Sequence, residues 1–193
     1  MGGTFDPIHY GHLAAAEEAR AVAGLDEVVF LVAGVPPHKP DEPMAPAEDR
    51  LNMVERAIAS NSSFVASRIE LDRTGPSFTS DSLEALAADL GSETDLYLIM
   101  GMDSLAEIGT WHRPDRLIEL ARLVVVRRPG YEADLKALDR EVPGIAAQTD
   151  IIDMPEVEVS STDLQDRIRN GMPIKYQVPP EVEAYIYEKG LYL

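Results

Sequence analysis

The 193-residue chain has no cysteine, which excludes disulfides, thiolate catalysis and cysteine-ligated zinc. Positive charge is scarce: 17 Lys and Arg stand against 34 Asp and Glu, a formal net charge of −17. Binding to DNA, RNA or an anionic membrane draws on basic residues gathered on one face, so this balance argues against nucleic-acid and membrane partners. No apolar run approaches the length that spans a bilayer, and no secretory pattern precedes Gly2. The expectation is a soluble, cytoplasmic protein. An anionic ligand on so acidic a body needs cations collected locally, which gives weight to the few basic residues in loops.

What is present reads as an ordinary globular chain, 45% hydrophobic and 26% charged, of a length that suits one domain over residues 1–193. Helical patterns are expected from Leu13 to Ala23, from Pro46 with Leu51, Val54 and Ile58 inward, and from Ser80 to Leu90 with Leu83, Leu86 and Leu90 inward. Further helices follow from Pro114 to Ala121, from a Ser161 or Thr162 cap to Asn170, and from Pro180 to Lys189. Short apolar runs at Glu27–Val32, Phe64–Ser67, Leu96–Met100, Leu123–Arg127 and Ile151–Met154 fit strands, while 132–150 supports only a weak helix and a loop. Strands alternate with helices without internal repeats. The alternation predicts an α/β fold with one doubly wound parallel sheet, whose ligands bind beyond the carboxyl ends of the strands.

The most informative stretch is Gly2-Gly3-Thr4-Phe5-Asp6-Pro7-Ile8-His9-Tyr10-Gly11-His12, a glycine loop leading into a helix mouth. Paired glycines let the backbone approach a ligand closely. Helix-end N–H groups and two imidazoles can then converge on one anionic group, which suits a polyphosphate. It is neither the dinucleotide fingerprint nor a Walker loop. All four histidines, His9, His12, His38 and His112, fall in loops or helix mouths.

Gly3-Thr4-Phe5-Asp6-Pro7 followed by His9-x-Gly11-His12 resembles the signature of the nucleotidylyltransferase superfamily, and further motifs resemble its bacterial nicotinate-nucleotide adenylyltransferases. The resemblance implies a Rossmann-like nucleotidylyltransferase fold in which Gly3, Thr4, Phe5, His9 and His12 hold ATP, with His12 at the reacting α-phosphate. Pro37-His38-Lys39 resembles the family's Pro-x-His-Lys segment, which implies that His38 and Lys39 meet the substrates and that Lys39 lays a point charge over the phosphates. Val159-Ser160-Ser161-Thr162 resembles a second phosphate cradle at a helix N-terminus. A plain cap needs one hydroxyl and explains only one of the three. The family's Arg in that motif is here Gln165, and Arg167, about 200° further around the helix, cannot take its place. Asp103 resembles the carboxylate that bonds a ribose hydroxyl, although a helix N-terminal Asp is nearly as good a reading. The stretch from Glu70 to Leu83, with Thr79 inside it, resembles the segment that encloses the pyridine ring. Trp111 resembles the ring-stacking tryptophan, although a lone Trp more often belongs to a core.

The implied activity is transfer of AMP from ATP to nicotinic acid mononucleotide, giving deamido-NAD and pyrophosphate, with Mg²⁺ held mainly by substrate phosphates and no dedicated protein metal ligand. Two other readings stay open: an adenylyltransferase for nicotinamide mononucleotide or pantetheine phosphate, and a catalytically weak nucleotide-binding module. The sequence leaves room for a homo-oligomer. In the family the glycine loop follows a hydrophobic central strand, and the resemblance predicts that such a strand is missing ahead of Met1, with unpaired edges beside the gap.

Overall fold

Short β-branched runs alternate with Ala- and Leu-rich segments, and the first kind pairs while the second covers it. The computed structural model describes residues 1–36, 43–127, 132–155 and 157–193. Their order is β1 (Gly2–Gly3), α1 (Tyr10–Ala23), β2 (Val28–Val32), α2 (Ala47–Ile58), β3 (Phe64–Ser67), α3 (Thr79–Leu90) and β4 (Tyr97–Gly101). Then come α4 (Met102–Ala106), α5 (Pro114–Leu120), β5 (Arg122–Arg127), α6 (Leu135–Glu141), β6 (Thr149–Asp153), α7 (Ser161–Arg169) and α8 (Pro180–Lys189). α4 was not anticipated, because five residues are too few to show a helical period. α6 is capped by Asp134, whose carboxylate accepts from the N–H groups of Lys136 and Ala137. No helix among the described residues is long and apolar enough to cross a membrane.

All strand pairing is parallel. β2 lies between β1 and β3, with Gly2 opposite Leu31 and Val28 opposite Phe64. β5 lies between β4 and β6, with Leu98 opposite Leu123 and Val126 opposite Ile152. The expected single ladder is found among the described residues as two three-stranded halves. The reason lies in β1, whose two residues bond β2 and pack beside β4 without extending the ladder to it. One apolar layer joins Phe5, Phe30 and Val32 to Val124, Ile152 and Leu164 across both halves. A second, around Leu98, Leu105, Leu117 and Leu123, covers the other face of β4 and β5.

At the seam between the halves a cavity of about 440 Å³ separates Val28, Val29 and Leu31 from Tyr97, Leu98 and Ile99. Leu83, Leu86 and Leu90 face it from α3. This corrects the expected inward row: Leu83 is 3% exposed but Leu90 is 50% exposed, because the surface it would pack on is the cavity. By contrast Leu51, Val54 and Ile58 of α2 are buried as their spacing predicts. The Met1 amine, at the edge of the seam, donates to the Val29 carbonyl at 2.8 Å, and burial pulls it down from 8.0 to about 5.

Candidate active site

The loop from β1 to α1 is shaped by what packs beneath it. A side chain at Gly3 would meet the Phe5 ring at 2.9 Å, so only glycine lets that ring turn under the loop. Phe5, with φ +50°, buries its ring against Phe30 at 5.7 Å and the edge of His12 at 5.1 Å. His9 is buried and stacks on His12, ring centres 3.8 Å apart. The His9 N–H donates to His12 Nδ1 at 3.3 Å. A neutral imidazole that accepts at Nδ1 carries its proton on Nε2, so His12 is set as a donor.

Behind the loop lies Arg50, 1% exposed, donating to the carbonyls of Thr4 at 2.7 Å, Ala45 at 3.1 Å and Gly34 at 3.4 Å. Asp6, also buried, accepts from the Tyr192 hydroxyl at 2.5 Å, the Ala45 N–H at 3.3 Å and Gln165 Nε2 at 3.2 Å. Burial pushes the Asp6 carboxyl above its usual range, against the pull of those donors and of Arg50. It pulls the Arg50 guanidinium below its own, and it pushes up the Tyr192 phenol, with the Asp6 charge helping.

In front of the loop a cavity of about 380 Å³ runs along the carboxyl ends of β1, β2 and β4, where the two halves part. One end is formed by Gly2, Gly3, Thr4 and His12. At the other end stand Ser77, Phe78, Thr79, Trp111 and His112, with the Phe78 and His112 rings stacked at 4.3 Å. Asp103 and Ser104 of α4 line the middle. Gly101 leaves room for the Asp103 carboxylate, which a side chain there would strike. Glu70 adds a buried carboxylate to the wall and accepts from the Ser82 hydroxyl at 2.6 Å. The turn carrying Trp111 and His112 is fastened by Arg113, which holds φ +50° and donates to Asp81 at 2.7 Å and Glu84 at 3.0 Å on α3.

Of the residues singled out in the sequence, Gly3, Thr4, His12, Thr79, Asp103 and Trp111 line this one cavity. Phe5 and His9 do not line it: the Phe5 ring lies in the core, and His9 supports His12 from below. Ser160 caps α7 through the Asp163 N–H, and the Ser161 hydroxyl donates to the Pro7 carbonyl at 2.9 Å. Neither hydroxyl lines the cavity, nor does Thr162. Gln165 turns towards Asp6. His38 and Lys39 lie outside the described residues. Arg50 and Tyr192 were not anticipated. Arg50 had a signal, since with Val54 and Ile58 it falls at i, i+4 and i+8 on the apolar face of α2. Tyr192 closes the terminal stretch that resembles the family, but no sequence pattern joins it to Asp6, 186 residues away.

A parallel α/β fold with a glycine and histidine loop at the strand ends and a cluster of rings opposite has the form of a nucleotide-binding enzyme. The model of the family described as cytidylyltransferase-like matches residues 1–167, and the chain belongs to that family. Over 192 residues it is 49% identical to a protein of Roseiflexus sp. (strain RS-1) named as a probable nicotinate-nucleotide adenylyltransferase, covering all of this chain and 96% of that one. A protein of Dehalococcoides mccartyi (strain ATCC BAA-2266 / KCTC 15142 / 195) with the same name is 44% identical over 193 residues, covering 100% and 95%. Among solved structures, the Plasmodium falciparum nicotinic acid mononucleotide adenylyltransferase complexed with NaAD superposes with a TM-score of 0.79 at 20% identity, covering 99% of this chain and 94% of that one, which establishes the likeness of fold.

Proposed function

We propose that the chain transfers the AMP part of ATP to nicotinic acid mononucleotide, releasing pyrophosphate and forming deamido-NAD. The observation that carries the reading is that one cavity holds both the glycine and histidine loop at one end and the Phe78, Trp111 and His112 rings at the other. A phosphate oxygen of the mononucleotide attacks the α-phosphorus of ATP, the bond to the β-phosphate oxygen breaks, and pyrophosphate leaves. No protein nucleophile enters this exchange. The protein's work is to hold the two phosphates in line and to place donors where charge gathers.

In this reading His12 donates to the transferring phosphate, and the Gly3 and Thr4 backbone approaches the triphosphate. Phe5 and His9 contribute through the loop they support. The first-turn N–H groups of α7 and the Thr162 hydroxyl form the second cradle, with Ser160 and Ser161 fixing its geometry. Lys39 adds charge over the phosphates, and His38 beside it meets the mononucleotide. Asp103 takes a ribose hydroxyl. Trp111 stacks on the pyridine ring, and backbone N–H donors near Thr79 meet its carboxylate.

Among the described residues no three His, Cys, Asp or Glu side chains group closely enough to hold a metal ion. The donor set fits a Mg²⁺ that arrives on the triphosphate and keeps its waters, with Asp103 and Glu70 the carboxylates that line the cavity among the described residues. When bound, that ion neutralises charge on the leaving pyrophosphate. We propose too that the two half-sheets belong to one doubly wound sheet, β3-β2-β1-β4-β5-β6, in a single domain spanning 1–193. The packing of β1 against β4 supports this.

Pyrophosphate release measured with nicotinic acid mononucleotide, nicotinamide mononucleotide and 4′-phosphopantetheine tests the reading. Nicotinic acid mononucleotide should give the highest kcat/KM, because N–H donors aimed at a carboxylate leave an amide's NH₂ unpaired. Equal kcat/KM for the acid and the amide would overturn the specificity.

A further inference from the structure

Position 165, where the resemblance leads one to expect an arginine, carries Gln165, and the structure shows what that amide does. Gln165 Nε2 donates to the Asp6 main-chain carbonyl at 2.6 Å and to Asp6 Oδ2 at 3.2 Å. Its Oε1 accepts from Arg169 Nη2 at 2.8 Å. A guanidinium can only donate, so the amide is fixed with its oxygen towards Arg169 and its NH₂ towards Asp6. On the other side of the same carboxyl, the Tyr192 hydroxyl donates to Asp6 Oδ1 at 2.5 Å. A loop that binds anions must present N–H groups and turn its carbonyl oxygens elsewhere. The Thr4, Asp6 and Pro7 carbonyls are each taken by a side chain, those of Arg50, Gln165 and Ser161.

We infer that Gln165 and Tyr192 are positioning residues for the phosphate loop: both act through Asp6, and Gln165 orients the loop's carbonyls away from ATP instead of touching the phosphates itself. The inference rests on the adenylyl-transfer reading. It gives position 165 a role that needs no charge. An arginine there would bring a cation to a carboxyl already faced by Arg50 and would displace the amide from the Asp6 carbonyl.

The test is a set of variants, Gln165→Met, Gln165→Glu, Gln165→Arg, Tyr192→Phe and the Gln165→Met/Tyr192→Phe double, read by kcat, by KM for each substrate and by calorimetric titration with α,β-methylene ATP. Gln165→Met keeps the volume and loses the donor. It should lower kcat about tenfold, roughly the worth of one hydrogen bond expressed as a rate, and weaken the ATP analogue, while KM for nicotinic acid mononucleotide stays as in the wild type. Gln165→Glu should fall further, since it faces carboxylate with carboxylate. Tyr192→Phe should repeat the pattern, and the double variant should lose less than the product of the singles because both act on one carboxyl.

Wild-type kcat and analogue affinity in Gln165→Met would overturn the inference. So would tighter analogue binding in Gln165→Arg, which would put the position within reach of the phosphates, and so would equal losses towards both substrates together with a lowered Tm. If the wild-type chain binds the analogue but releases no pyrophosphate with nicotinic acid mononucleotide, the proposed reaction fails, and the titrations still decide the positioning role.

Discussion

His12 and Arg50 show how differently two residues around one loop can matter. His12 is held as a donor at the cavity by the His9 N–H, and in the proposed reaction His12→Ala removes a group useful only while charge develops on the phosphate. Its kcat should fall by about 10²-fold or more with the fold intact by circular dichroism. An unchanged kcat would remove it from the mechanism. Arg50 never meets the cavity, yet Arg50→Ala leaves a buried carboxyl at Asp6 and strips donors from the Thr4 and Gly34 carbonyls. Urea unfolding should show a loss of about 3 kcal/mol or more, the range seen when one partner of a buried charged network is removed. Lys39→Ala should weaken ATP handling, read as a higher ATP KM. The glycines and histidines of the loop were legible in the sequence as groups able to meet an anion, and the resemblance assigned them to ATP. Which way Gln165 turns was not, since that depends on Arg169 and Asp6 converging on it in three dimensions.

Elements were legible where their pattern is local. Leu51, Val54 and Ile58 mark the inner face of α2 by spacing, and Phe64–Ser67 reads as a strand from composition. α3 shows the limit of such reading, because the periodicity of Leu83, Leu86 and Leu90 is real but what the row meets is set by neighbouring strands. The same helix does a second job at its N-terminal end. Asp81 and Glu84 grip Arg113, and Glu84 also accepts from Arg116 at 2.9 Å, so α3 is tied to the turn that carries Trp111 and His112. Exposed pairs of this kind contribute little to stability and respond to salt. Arg113→Ala should therefore leave Tm nearly unchanged while raising KM for the mononucleotide a few-fold. Arg113→Gly, which accepts φ +50° without strain, should recover part of that loss if the backbone shape matters more than the charge. KM values for both variants at low and high salt decide between shape and charge.

At the scale of the whole molecule, a seam divides the two half-sheets among the described residues. Burial there holds the Met1 amine to about 5, against 8.0 when exposed. Between those values the unfolded chain takes up a proton that the folded chain refuses, so stability should fall as pH drops from 8 towards 5. Acetylating the Met1 amine should flatten Tm across that window, and an unchanged slope would mean the amine is hydrated. Glu17, Glu84 and Asp150 are held below their ordinary range by arginines, so their contribution is lost only at lower pH. Asp6, raised by burial, works the other way, favouring the folded state at the acid side of its range. The bond from Tyr192 to Asp6 spans 186 positions, and it has a consequence in time. A ribosome adding about 5–20 residues per second makes Asp6 roughly ten to forty seconds before Tyr192. Through that interval the nascent chain carries the glycine loop without the Tyr192 hydroxyl that holds Asp6. Arrested ribosome–nascent-chain complexes carrying increasing linker lengths after Leu193 should therefore reach their full affinity for an ATP analogue once Tyr192 clears the exit tunnel, and the same series with Tyr192→Phe should lack that last gain.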